Sequence, residues 1–261
     1  MKTFLRYLYQ PYKWLVFLPI FILSTAVFGS LAVILLFFAK PRTVSAFAGG
    51  TWARVNARAT PMRVRVSGRE HIDPEQSYVI VANHRSHYDI FLLYGWLGVD
   101  FKWVMKRELR KVPMIGIACD RLGHIFVDRS NREAAIASLR AARSRIRNGT
   151  SVFFFPEGTR SRSDALQPFK KGAFRMAMDM GLPVLPVSIS GTAEIMPPDS
   201  VDIFPGTARM TIHPPVAPDG SDAQSMERII ETVRRAIEAG LETPERVSAP
   251  SGMSGREKGA P

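Results

Sequence analysis

The stretch Val79-Ile80-Val81-Ala82-Asn83-His84-Arg85-Ser86-His87-Tyr88-Asp89 passes from an apolar run into a polar turn, and then into a helical run from Ile90 to Leu97. An apolar run of this length, bounded by turn residues and followed by a helix, predicts a strand that ends in a loop carrying His84. If Ser86 or His87 opens the helix, Asp89 falls in its first turn. From there the carboxylate can fold back toward the imidazole of His84. A carboxylate on one ring nitrogen fixes the tautomer and leaves the other nitrogen to accept a substrate proton. A His and an Asp five residues apart also occur as a loop contact and a helix cap, so the pair alone does not define a base.

Outward from this unit, short apolar runs alternate with helical patterns, which predicts an α/β fold with a mixed central sheet flanked by helices. Strands are expected at Arg63 to Val66, Tyr78 to Ala82, Phe101 to Met105, His124 to Val127, Ser151 to Phe155, Val184 to Ser188 and Arg209 to His213. One helix is expected after Ser130, with Ser130 as its cap, Glu133 completing a capping box, and Ala135, Leu139, Ala142 and Ile146 as its apolar stripe. Another is expected from Gln224 to Leu241, with Met226, Ile229, Ile230, Val233 and Ile237 on one side.

Trp14 to Ala39 is a run of 26 residues without a charge. At about 1.5 Å per residue it exceeds a hydrocarbon core of about 30 Å, which predicts a membrane-embedded helical segment. Its apolar stretch is too long for a signal-peptide core, although Ala46-Phe47-Ala48 resembles a cleavage site. Pro19 and the pair Gly29-Ser30 interrupt it, and basic residues flank both ends: Lys2, Arg6 and Lys13 before, Lys40, Arg42, Arg54 and Arg58 after. By the positive-inside tendency both ends prefer the cytoplasmic face, which favours a hairpin or re-entrant helix pair over a tilted single span. The expected division is a membrane anchor over 1–60, a catalytic domain over 61–242, and a disordered tail over 243–261, whose Pro, Gly, Ser and charged residues cannot bury a core.

The chain has 261 residues, 35 basic against 23 acidic, for a formal charge of +12. Such a balance points to an anionic partner: a membrane surface, a phosphorylated substrate or nucleic acid. No nucleic-acid reader motif is present, and the apolar N-terminus fits that reading badly. A single cysteine, Cys119, excludes an intrachain disulfide and a cysteine-based zinc site. With no Gly-x-Ser-x-Gly elbow and no local base for Cys119, a covalent acyl-enzyme route has no support.

A second loop carries the rest of the expected chemistry. The run Phe153 to Phe155 ends at Pro156, so Glu157, Gly158, Thr159 and Arg160 lie at a strand end, where α/β proteins place ligands. Gly158 permits close backbone approach, Thr159 offers a hydroxyl, and Arg160 offers a planar fork for phosphate. Glu157 can accept from a hydroxyl or orient a cation; a plain alternative is a turn held by a Glu157–Arg160 ion pair. Arg129, after another strand, is a second phosphate candidate, and Lys106 suits either the phosphate or a developing oxyanion. Lys170 and Lys171 read as a basic rim, and His87 as a rival base to His84.

Taken together, these segments resemble the glycerolipid acyltransferases, the family that includes 1-acylglycerol-3-phosphate acyltransferase. The likeness rests on Asn83-His84 with Asp89; on Lys106-Arg107-Glu108-Leu109 with Pro113, Gly116, Gly123 and Ile125-Phe126-Val127-Asp128-Arg129; on Phe155-Pro156-Glu157-Gly158-Thr159-Arg160-Ser161 with Phe169-Lys170-Lys171-Gly172; and on Leu182-Pro183-Val184-Leu185-Pro186-Val187. These blocks stand in order across about residues 62 to 215. The resemblance implies His84 and Asp89 as the catalytic pair, and Asn83, Lys106, Arg129, Glu157, Gly158, Thr159 and Arg160 as substrate-binding residues. It implies lysophosphatidate as acceptor, acyl-CoA or acyl carrier protein as donor, membrane phospholipids as surroundings, and no metal or redox cofactor. The competing readings are an acyltransferase for another lysophospholipid or an amino-acid lipid, and a non-catalytic membrane protein that binds anionic lipid.

Overall fold

The computed structural model describes residues 7, 9–163 and 165–242, so the tail at 243–261 and the flanking Lys2 and Arg6 lie outside the described residues. All seven apolar runs form strands: β1 Met62–Ser67, β2 Val79–Ala82, β3 Asp100–Lys106, β4 Ile125–Val127, β5 Thr150–Phe154, β6 Val184–Ser190 and β7 Gly206–Ile212. They make one sheet of order β1-β7-β6-β2-β5-β3-β4. From β6 to β4 all neighbours are parallel, whereas β7 runs antiparallel to β6 and carries β1 in parallel beside it. The sheet is therefore mixed, with its parallel part at the centre.

Strand β2 shows why its sequence is a continuous apolar run rather than an alternation. Val79 and Val81 point into one core, with residues of the helices Arg132–Ala142 (α5), Gly172–Met180 (α6) and Ala223–Glu242 (α7). Ile80 and Ala82 point into the other, with the helix Tyr88–Trp96 (α3). Both faces are covered, so every residue of the strand is buried. A side chain such as Ile80 contributes about 1.5–3 kcal/mol through that burial. Met226, Ile229, Val233 and Ile237 form the buried stripe of α7, as expected from their spacing. The cap of α5 is not Ser130, whose hydroxyl donates to Asp128 Oδ1 at 2.6 Å. Asn131 caps it, accepting Ala134 N–H at 3.0 Å, and the helix starts one residue later than expected. The helix stops at Ala142, and Ile146 reaches the same core from a following 3₁₀ turn.

At the N-terminus, one helix runs Tyr9–Leu35, with a mean hydropathy of 2.3 and few of its residues buried. Its regular part is α1, Leu18–Leu35, preceded by a π-helical turn at Lys13–Phe17. Pro19 lies at the junction, where its missing N–H is accommodated. Gly29-Ser30 does not interrupt the helix, contrary to expectation. Gly29 instead lets the chain at Met114 come close: a Cβ there would sit 3.2 Å from Met114 Cβ. After a turn the chain is helical again, ending in α2, Gly50–Ala59. The two segments pack antiparallel, since Tyr12 Oη donates to Ala59 O at 2.5 Å, Asn56 Nδ2 to Ser24 Oγ at 3.0 Å, and Trp52 Nε1 to Thr25 Oγ1 at 3.0 Å. Further along, Ala32, Val44 and Ala48 pack with Ala118 and Leu122 of the region around helix α4, Ile115–Arg121. Residues 9–59 therefore form a helical hairpin, with much of its apolar surface uncovered by protein.

Candidate active site

β2 and β5 are adjacent parallel strands, so the loops after Ala82 and after Phe154 leave the same edge of the sheet side by side. This is where side chains on the two loops can meet. The helix α3 opens directly after the first loop with His87 at its cap, and Asp89 sits in its first turn. From there Asp89 Oδ2 accepts from His84 Nδ1 at 2.8 Å, as the five-residue spacing predicts. Asp89 is fully buried and its Oδ2 also accepts the N–H groups of Arg85 at 2.8 Å and Ser86 at 3.0 Å. A carboxylate in that position requires the proton on Nδ1, which makes Nε2 the acceptor nitrogen.

The second loop holds the first. Glu157 Oε1 accepts the backbone N–H of His84 at 2.8 Å, and Oε2 that of Gln167 at 3.0 Å. Burial raises the Glu157 pKa, and these two backbone bonds pull it back down. Ser161 N–H donates to His84 O at 2.7 Å. Phe155 lies flat against the imidazole, with centroids 3.8 Å apart and planes 11° apart. Asn83, fully buried, donates to Ile189 O and accepts from Ile189 N–H, both at 2.8 Å, which ties the loop to β6. Asn83 and Glu157 do not line the cavity beside His84. Both are expected to bind substrate; in this structure their polar groups engage backbone, Asn83 at Ile189 and Glu157 at His84 and Gln167.

That cavity has a volume of about 1440 Å³. Around His84 its wall is polar and cationic, formed by Lys106, Arg129, Gly158, Thr159 and Arg160. Arg129 donates to Gly158 O, which joins the ends of β4 and β5. Partial burial lowers its pKa, opposed by Glu108, yet a guanidinium remains charged. Arg160 donates to Pro198 O rather than pairing with Glu157, so the ion-pair turn is not what holds this loop. Gly158 has φ +79°, and a Cβ there would meet the Lys170 side chain, so glycine is required by the backbone. Thr159 Oγ1 is 3.4 Å from Gln167 Oε1. Lys106, at the end of β3, is exposed, 3.7 Å from Glu108. Lys171 pairs with Glu227 at 2.5 Å, and neither it nor Lys170 is part of the cavity rim. His87 does line the cavity; burial first, then Arg160 and His84, lower its pKa, so it is neutral near pH 7.

Away from His84 the wall is apolar. Phe17, Phe21 and Trp52 of the hairpin line it together with Phe91, Tyr94 and Trp103, and Phe21 packs against Trp52 and Phe91 with ring centroids 6.3 and 6.4 Å away. These residues carry no chemical signature, and only the packing of the hairpin on α3 brings them together. Phe155 was legible as the last residue of a strand, not as a plate for the imidazole. Cys119 also lines the cavity, but burial pushes its thiol up to about 12, where it is protonated and a poor nucleophile. Among the described residues no group of three or more His, Cys, Asp or Glu is placed to hold a metal ion.

A family model described as Acyltransferase matches residues 63–190. A 1-acyl-sn-glycerol-3-phosphate acyltransferase of Chlamydomonas reinhardtii is 30% identical over 254 residues, spanning 96% of this chain and 73% of that protein. A chloroplastic enzyme of the same description from Brassica napus is 35% identical over 70% of this chain and 53% of its own length. The crystal structure of the 1-acyl-sn-glycerophosphate (LPA) acyltransferase PlsC from Thermotoga maritima superposes with a TM-score of 0.77 at 28% identity, covering 94% of this chain and all of that one.

Proposed function

The chain belongs to the 1-acyl-sn-glycerol-3-phosphate acyltransferase family, and from that membership we propose that it transfers a fatty acyl group to the sn-2 hydroxyl of 1-acyl-sn-glycerol 3-phosphate, giving phosphatidate. The observation that carries the mechanism is the 2.8 Å bond between His84 Nδ1 and the buried Asp89, beside a cavity cationic at this end and apolar at the other. Nε2 of His84 takes the proton of the acceptor hydroxyl as that oxygen attacks the thioester carbonyl carbon. The tetrahedral adduct collapses with cleavage of the C–S bond, and the imidazolium returns the proton to the leaving thiolate of coenzyme A or acyl carrier protein. Asp89 accepts from Nδ1 throughout and stabilises the imidazolium. A positioned base supplies about 10²- to 10⁴-fold, so alignment of the two substrates must supply most of the remainder.

In this reading Arg129 and Arg160 hold the acceptor phosphate, with Gly158 and Thr159 shaping the loop that approaches it. Lys106, at the rim, faces negative charge on either substrate. The segment over 1–60, which contains the hairpin, anchors the chain and supplies apolar wall to a catalytic domain over 61–242, with that domain on the cytoplasmic face. A lipid then reaches His84 without crossing water. The test is purified full-length protein in vesicles, offered a panel of lysolipids with acyl-CoA and acyl carrier protein donors. Phosphatidate formation from lysophosphatidate is the expected result; no transfer from either donor to any lysolipid contradicts it, and preference for another lysolipid redirects the acceptor.

A further inference from the structure

We propose that the connection from β3 to β4, residues 107–124, is a second membrane-contacting element that rests on an anionic lipid surface beside the hairpin. The proposal rests on the membrane anchoring argued above. The connection touches the hairpin far along its apolar length: Gly29 meets Met114, and Ala32 packs with Ala118 and Leu122. Gly29 is six residues before the end of α1 at Leu35, or about 9 Å along the axis. A hairpin that enters lipid by its closed end, beyond Leu35, reaches the level of Gly29 and Met114 once about 9 Å of α1 is immersed. Deeper insertion places the connection in lipid.

The residues facing outward fit that setting. Val112 and Ile117 are 37% and 55% exposed although apolar, and Ile34 of α1 is likewise uncovered. Residues 107–121 carry four cations against two acids. Of these cations, Arg107 and Arg110 pair with Asp128 and Asp120, while Lys111 and Arg121 have no ion pair among the described residues. Apolar side chains with unpaired cations beside them match an anionic leaflet, in which tails take the first and headgroups the second. Leu109 and Ile115 of the same segment line the cavity, so seating it on lipid also sets the cavity beside the bilayer.

The test uses the full chain with Cys119→Ala, carrying one new cysteine with a fluorophore at Ile34, Ile117 or Ile136, in phosphatidylcholine vesicles containing phosphatidylglycerol and tail-nitroxide lipid. Ile136 lies on α5, across the sheet from the hairpin, and serves as the control. Quenching at 117 should approach that at 34 and exceed that at 136 by about twofold or more. Quenching at 34 without quenching at 117 overturns the proposal and leaves the membrane hairpin standing; no quenching at 34 overturns both. If Ile117→Cys does not fold, judged by circular dichroism, Val112→Cys replaces it with the same expectation. Lys111→Glu with Arg121→Glu should reduce quenching at 117, and unchanged quenching overturns the anionic part.

Discussion

Asp89 Oδ2 faces His84 Nδ1 at 2.8 Å and accepts two further backbone N–H groups, while Oδ1 has no partner among the described residues. The solvation of this buried anion is concentrated on the oxygen that meets the ring. Asp89→Asn keeps an oxygen for the backbone donors but removes the charge that stabilises an imidazolium. We expect kcat to fall by about 10²- to 10⁴-fold, with a loss of stability of only about 1–2 kcal/mol. Steady-state kinetics beside urea unfolding separate the two; an equal loss of stability and activity would make Asp89 a structural cap.

Glu157 acts on the same histidine through its backbone. Glu157→Ala leaves the N–H groups of His84 and Gln167 without their acceptor in a site that is 3% exposed. The expected loss is about 2–4 kcal/mol of stability, and about 10²-fold in transfer from a displaced base. Glu157→Gln, which retains one acceptor oxygen, should recover part of both. Transfer unchanged in Glu157→Ala would remove its positioning role.

Arg129 and Arg160 converge on the cavity from different strands. Replacing either with Ala should raise KM for lysophosphatidate by about 10- to 100-fold, the equivalent of one charge-assisted bond of about 1.5–3 kcal/mol. Turnover with an acceptor lacking phosphate should change little. Equal losses on both acceptors would assign the arginines to the loop rather than to the headgroup.

His124 gives the fold a pH dependence. Burial, then Lys102, holds its pKa down at about 3, and its Nδ1 accepts Trp103 N–H at 3.2 Å. The unfolded chain, with an ordinary histidine value near 6.5, binds the proton more tightly than the folded chain across that interval. Stability therefore falls as pH drops from about 6.5 toward 3, by up to about 1.4 kcal/mol per pH unit from this group. In His124→Gln the difference in stability from the parent should narrow by that slope between pH 6 and 4.5, read by urea unfolding. A parallel pH profile in the two proteins would contradict it.

Much of this was readable from the chain because it is local. The central strands β2, β5 and β6 stand out as short apolar runs, since the middle of the sheet is covered on both faces and needs no alternation, β1 shows the alternation of a half-exposed strand, and Asp89 reaches His84 within one helical turn. Asn83 and Glu157 were legible as polar residues at strand ends but not as backbone ties, because their partners Ile189 and His84 lie 106 and 73 residues away. The same distance problem hides Lys13, which ends buried at 3.4 Å from Asp202. Ser130 and Asn131 are both good caps, and the choice fell to Asn131 because Asp128 engages the serine hydroxyl. The apolar wall of the cavity depends on how the hairpin folds back, which residue type alone does not encode.

The role of His84 as base is decided by His84→Ala, with transfer from acyl thioester to lysophosphatidate measured beside lysophosphatidate binding and thermal unfolding. Transfer reduced by at least about 10²-fold, with binding and folding kept, is the predicted result. Transfer at the parent rate by a folded His84→Ala protein would contradict it.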